Sequence, residues 1–107
     1  MLKRMLRKEY RFKDSIYENE FMGIVNNNPN VILLDVRSKQ EYDEGHLKGA
    51  INIPVYELEY RAENELRDKN SVIIAYCSAG IRSRKAIGIL KKLGYKSLYN
   101  VEDGVKI

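Results

Sequence analysis

The 107-residue chain holds one cysteine, Cys77, and one histidine, His46. A lone cysteine excludes an internal disulfide, a CxxC pair and a cysteine-built metal cluster. Its unpaired state fits a reducing, cytoplasmic setting. No apolar run approaches the roughly 20 residues that a membrane-spanning helix needs, so no stable membrane association is expected. The first residues are basic and lack an apolar core, which does not read as a secretory signal. Internal repeats, low-complexity runs and linkers are also missing. What remains is 44% hydrophobic and 32% charged, the profile of a soluble globular protein. The length argues for one domain that buries about two thirds of its unfolded surface.

The net charge of +4 is unevenly spread. Residues 1–13, MLKRMLRKEYRFK, carry six Lys/Arg against one Glu, and the other 94 residues carry thirteen Lys/Arg against fourteen Asp/Glu. The basicity therefore belongs to an N-terminal extension, 1–13, and the domain, 14–107, is nearly neutral. A nucleic-acid binder spreads basic charge over a folded face with aromatics between, so no nucleic acid is expected as a partner. Leu2, Met5 and Leu6 have helical spacing, but the extension reads as a frayed end.

Asp14 or Ser15 caps a helix predicted over 16–26, with Ile16, Phe21, Ile24 and Val25 inward. VILLDV at 31–36 and SVIIAY at 71–76 are continuous apolar runs, the mark of strands covered on both faces. Ser38 with Glu41 three residues later is a capping-box pattern, and Gly45 ends that short helix. AINI at 50–53 predicts a strand stopped by Pro54, and 55–67 a helix with Val55, Leu58, Ala62 and Leu66 on one side. A helix over about 83–93 and a last strand at 96–101 complete the chain. Strands alternating with helices predict an α/β domain: a mostly parallel sheet with helices on both faces. Ligands of such sheets bind beyond the carboxyl ends of the strands, where Cys77 lies.

Cys77 stands in AYCSAGIRSRKA, at the end of a strand and just before a helix. Ser78, Ala79 and Gly80 are small, so the backbone can curl and aim several N–H groups inward. The helix N-terminus adds free N–H donors, and Arg82 and Arg84 add positive charge. Each feature favours the thiolate, the nucleophilic form of cysteine. A buried, inert cysteine needs none of them. Arg82 and Ser78 are the first choices to hold an anionic substrate, since the guanidinium fork matches two oxygens. The competing role for Arg82 is a brace to Glu57 or Asp35. Ser83 reads as the helix N-cap, and Arg84 and Lys85 as solvent-facing. Asp35 and Arg37 read as a structural ion pair at the end of their strand.

The loop CSAGIRS, 77–83, resembles the active-site loop of the rhodanese family, C-x-x-G-x-R-[ST]. LLDVRSKQEYDEGHLKGAINIP, 33–54, resembles that family's other signature, D-V-R followed by E-[YF]-x-x-G-H-[IL]-x-G-A-x-N-[IV]-P. LYNVEDGV, 98–105, resembles its closing segment, and the likeness runs in order over 14–107. It implies the three-layer rhodanese-like fold and a sulfurtransferase of the thiosulfate sulfurtransferase type. Cys77 would be the catalytic residue, taking the outer sulfur of a small anionic donor as a persulfide. Ser78, Ala79, Gly80, Ile81, Arg82 and Ser83 would bind the substrate, with Asp35, Arg37 and His46 in support. The sulfur then passes to cyanide, a thiol or a protein acceptor. The chemistry requires no cofactor and no metal.

Two other readings stand beside it. One is a non-catalytic rhodanese-like sulfur carrier or regulatory interaction module. The other is a cysteine phosphatase or arsenate reductase, which within this resemblance uses a C-x5-R loop. Here four residues separate Cys77 from Arg82, and the C-x5-R position holds Ser83. The closing segment also departs from the family's G-G-[IV]-x-x-W. It reads Asp103-Gly104-Val105-Lys106-Ile107, with a carboxylate in place of the first glycine and no tryptophan. A carboxylate near the pocket opposes a thiosulfate dianion.

Overall fold

A computed structural model describes residues 14–107; the predicted helical turns at 1–9 lie outside them. Five parallel strands form one sheet in the order β1-β5-β4-β2-β3: β1 Ser15–Ile16, β2 Ile32–Asp35, β3 Ile51–Asn52, β4 Val72–Tyr76 and β5 Ser97–Val101. Four helices connect them: α1 Glu18–Asn27, α2 Lys39–Glu44, α3 Leu58–Glu65 and α4 Ile81–Lys92. A single 3-10 turn, Val55–Glu57, leads into α3.

The apolar runs work as two-sided strands. Along β4, Ile73, Ala75 and Cys77 face one core with Leu58 and Ala62 of α3 and Ala86, Ile87 and Leu90 of α4. Ile74 and Tyr76 face the other, with Phe21, Ile24 and Val25 of α1 and Tyr42 of α2. Three layers result, helices on both faces of a parallel sheet, as expected. Each fully buried Leu or Ile contributes about 1.5–3 kcal/mol over leaving it exposed.

The predicted first helix differs at its start. Ser15 and Ile16 do not cap or begin it; they form β1 beside β5, where Asn100 N donates to Asp14 O and Glu102 N to Ile16 O. The two bonds satisfy the Asn100 and Glu102 N–H groups, which a helix at this position would leave unpaired along the edge of β5. The helix then starts at Glu18, with Tyr17 N donating to Glu20 Oε1 at 2.9 Å. The capping box of α2 is present as expected: Glu41 N donates to Ser38 Oγ and Ser38 N to Glu41 Oε1.

The carboxyl end of the sheet is braced at β2. Asp35 accepts from Arg37 N, Nε and Nη2, the last at 2.7 Å, and Arg37 Nη2 also donates to Gly45 O. The Asn52 amide donates to the carbonyls of both residues. A buried ion pair is stable only when its remaining donors and acceptors are met, and here the neighbours meet them. Asp35 and Arg37 thus form the structural pair expected from the sequence.

Candidate active site

β4 ends at Tyr76, and its alternation carries the next side chain, Cys77, toward the α3 and α4 layer. The chain then curls through Ser78, Ala79 and Gly80 and enters α4 at Ile81. Gly80 occupies the cap position with φ of 89°. A Cβ there would stand 2.1 Å from Glu102 O, so only glycine fits. This moves the helix start two residues ahead of the expected Ser83. Ser83 is therefore not the N-cap; it sits in the first turn, buried, and faces the sulfur.

The loop closes around Cys77 Sγ. Gly80 N donates to it at 3.1 Å and Ser83 N at 3.4 Å, and Ser83 Oγ lies 3.4 Å away. The thiol is 1% exposed. Burial is the largest single influence on its pKa and pushes it up. The Ser83 hydroxyl and the backbone N–H groups of Ser83, Ala79 and Gly80 act against burial, and together they outweigh it, so Cys77 is held below the ordinary thiol value. The outer wall of the loop is open: Ser78 and Ala79 are exposed and Ile81 is 74% exposed.

A second segment holds the loop from behind. Val105 N donates to Cys77 O at 2.8 Å. Gly104, with φ of 77°, lies so close that a Cβ on it would come within 2.2 Å of Ser78 O. The Cys77 loop and residues 101–105 therefore meet backbone to backbone. Asp103, the departure noted in the sequence, is exposed on this segment.

Arg82 projects from the first turn of α4 toward α2. Its Nη1 donates to Glu41 Oε1 at 2.6 Å and its Nη2 to Glu41 Oε2 at 3.1 Å, with Ser78 Oγ also in reach. The carboxylate that meets Arg82 is thus Glu41, not Glu57 or Asp35; Glu57 is engaged by Arg61 and Asp35 by Arg37. The Arg82 guanidinium, more than any other group, holds the Glu41 carboxyl down at about 2. Arg84 is not solvent-facing as expected: it is half-buried and paired with Glu102, while Lys85 is exposed.

His46 is exposed. Its ring stacks on Tyr42 with centroids 3.6 Å apart, and its Nδ1 lies 2.7 Å from Tyr42 O. The structure brings together Cys77, Gly80 and Ser83, with Ser78 and Arg82 at the rim. Asp35, Arg37 and His46 belong to the neighbouring β2 and α2 framework.

Sequence reasoning passed over two residues. In the sequence Glu41 reads only as a helix-capping residue, although both of its carboxylate oxygens reach Arg82. In the sequence Asn100 reads only as part of a strand. It is fully buried, and a polar side chain inside SLYNV was the signal that something there must be satisfied.

The chain is similar to known proteins. The family described as "Rhodanese-like domain" matches residues 19–106. The chain is 40% identical over 67 residues to the thiosulfate sulfurtransferase PspE of Escherichia coli, which covers 63% of this chain and 64% of that protein. It is 38% identical over 86 residues to the putative sulfur carrier protein YrkF of Bacillus subtilis, covering 80% of this chain and 45% of that one. The chain thus spans less than two thirds of the length of these curated relatives. Among solved structures, a rhodanese with anions from E. coli superposes with a TM-score of 0.64 at 38% identity, covering 67% of this chain and 85% of that one.

Proposed function

The chain belongs to the rhodanese-like domain family, and from that premise we propose that it is a sulfurtransferase working through a persulfide on Cys77. One observation carries the reading: a cysteine at the start of a helix, with backbone N–H groups of Gly80 and Ser83 aimed at its sulfur. Such donors favour a negative sulfur before and after it is loaded.

The chemistry balances in two steps. The Cys77 thiolate attacks the outer sulfur of a donor such as thiosulfate. The new Sγ–S bond forms as the donor's S–S bond breaks, and sulfite leaves with the electron pair. An acceptor thiolate or cyanide then attacks the outer sulfur of the persulfide, and Cys77 departs as thiolate. With one cysteine in the chain, the acceptor comes from outside. In this reading Arg82 and Ser78, neighbours at the rim of the loop, meet the sulfonate oxygens. The four-residue gap between Cys77 and Arg82 supports a sulfur substrate over a tetrahedral phosphate or arsenate.

Intact mass after incubation with thiosulfate tests the proposal. The expected result is a gain of one sulfur atom that a reductant removes and that Cys77→Ser abolishes. No gain would refute it. The likeness to a putative sulfur carrier favours a second reading, in which the persulfide is stored and delivered to a protein. Rapid turnover with cyanide or a small thiol supports the transferase; stoichiometric loading without turnover supports the carrier.

A further inference from the structure

Behind the nucleophile runs a buried polar chain: Cys77 Sγ, Ser83 Oγ, the Asn100 side-chain amide, and Ser15 Oγ. Ser83 Oγ lies 3.4 Å from the sulfur and donates to Asn100 Oδ1, and Asn100 Nδ2 donates to Ser15 Oγ at 3.2 Å. All four residues are buried. The Ser83 hydroxyl has one proton and three acceptors in range: Asn100 Oδ1, Gly80 O at 3.2 Å and the sulfur. While Asn100 takes that proton, Ser83 has none left for the sulfur and can only accept from it, which suits a thiol. A thiolate or a persulfide anion needs the hydroxyl turned toward it.

We propose that Asn100 is a positioning residue for the Cys77 sulfur, acting through Ser83. A planar amide has an acceptor on one side and a donor on the other, and the two are exchanged by a half-turn of its end. With Nδ2 toward Ser83, Asn100 donates to Oγ, Ser83 donates to the sulfur anion, and Oδ1 accepts from the Ser15 hydroxyl. Ser83 Oγ, the two ends of the Asn100 amide and Ser15 Oγ each keep a partner in both states, and the direction of the chain reverses when the sulfur gains or loses charge. An aspartate at 100 cannot do this. It only accepts when ionised, so it holds the Ser83 proton away from the sulfur. The inference rests on Cys77 as the working nucleophile.

Of the other charged groups on the elements around the sulfur, Arg82 pairs with Glu41, Arg84 with Glu102, Arg37 with Asp35 and Lys91 with Asp14, while Lys85 and Lys92 are exposed on α4. Asp103 lies on the closing segment behind the loop. All of them stay in place in the variants below.

The test is the pH midpoint of Cys77 alkylation by iodoacetamide in the unaltered chain, Asn100→Asp, Ser83→Ala and the double variant. Asn100→Asp is expected to raise the midpoint by about one pH unit, the worth of one hydrogen bond to a charged group. In the Ser83→Ala background the same substitution should shift it by less than half as much. No shift, or an equal shift in both backgrounds, overturns the proposal, because a bare charge effect needs no Ser83. If Asn100→Asp does not fold, the Asn100 side-chain amide is followed by NMR in the unaltered chain. Its signals should move with the Cys77 midpoint, and should stay still in Ser83→Ala; signals that ignore the titration overturn the proposal. Alkylation needs no sulfur donor. A chain that shows these shifts yet takes up no sulfur from thiosulfate would sink the sulfurtransferase reading and keep this one.

Discussion

Replacing Glu41 with glutamine removes one charge from the two-pronged Arg82 pair and leaves an oxygen that still accepts from Ser38 N. A carboxyl held at about 2 instead of its usual 4.5 would, if fully buried, contribute about 3.4 kcal/mol at neutral pH. Glu41 is about a third exposed and Arg82 slightly more, and solvent screening reduces that to about 1 kcal/mol. The sign follows from the direction of the shift. A lowered carboxyl stabilises the fold above its unfolded pKa, and the contribution is lost as pH falls toward the folded value. Urea unfolding of Glu41→Gln and the unaltered chain at pH 7 should therefore differ by about 1 kcal/mol, equivalent to roughly 4–8 °C in Tm. By pH 2.5 about three quarters of that difference should be gone. A gap of the same size at both pH values would show that Glu41 stabilises through packing or capping. No gap at pH 7 would show that the pair is too well solvated to matter.

The pairing also changes what Arg82 can offer a donor. Glu41 cancels much of its charge, so Arg82→Ala is expected to lower kcat/KM for thiosulfate by about tenfold, not more, since each 1.36 kcal/mol is tenfold. Arg82→Lys should recover part, and a neutral donor should be nearly unaffected; equal losses for all donors would make Arg82 a loop brace alone. Gly104→Ala puts a Cβ 2.2 Å from Ser78 O at a left-handed φ, and should cost at least about 2 kcal/mol in urea unfolding. A change within about 0.5 kcal/mol would mean that the closing segment yields freely. Inserting one residue after Ile81 creates a C-x5-R spacing and should weaken sulfur transfer; an unchanged rate would separate the chemistry from loop size. Neither chain should hydrolyse p-nitrophenyl phosphate in a Cys77-dependent way, and turnover well above background in the unaltered chain would favour the phosphatase reading.

Local chemistry was enough for most of the architecture. VILLDV and SVIIAY had to be two-sided strands because no alternation marked a wet face. Ser38 and Glu41 announced a helix start because a capping box closes within four residues. A thiol followed by small residues and a helix already marked the Cys77 loop as the candidate site. The missed features depend on pairs far apart in the chain. Ser15–Ile16 looked like a helix entry because their partner, β5, lies about 85 residues away. Gly80 looked like an ordinary turn residue, but only the folded chain puts the Glu102 carbonyl where a Cβ would be, and that contact sets where α4 begins. Arg82 and Glu41 are 41 residues apart, so no spacing rule could pair them; the parallel β2–β4 register brings α2 and the loop to the same end of the sheet. The polar thread from Cys77 through Ser83 and Asn100 to Ser15 joins four sites into one hydrogen-bond chain. Side-chain hydrogen bonds act only within about 3.5 Å, and that proximity exists only once the sheet has been assembled.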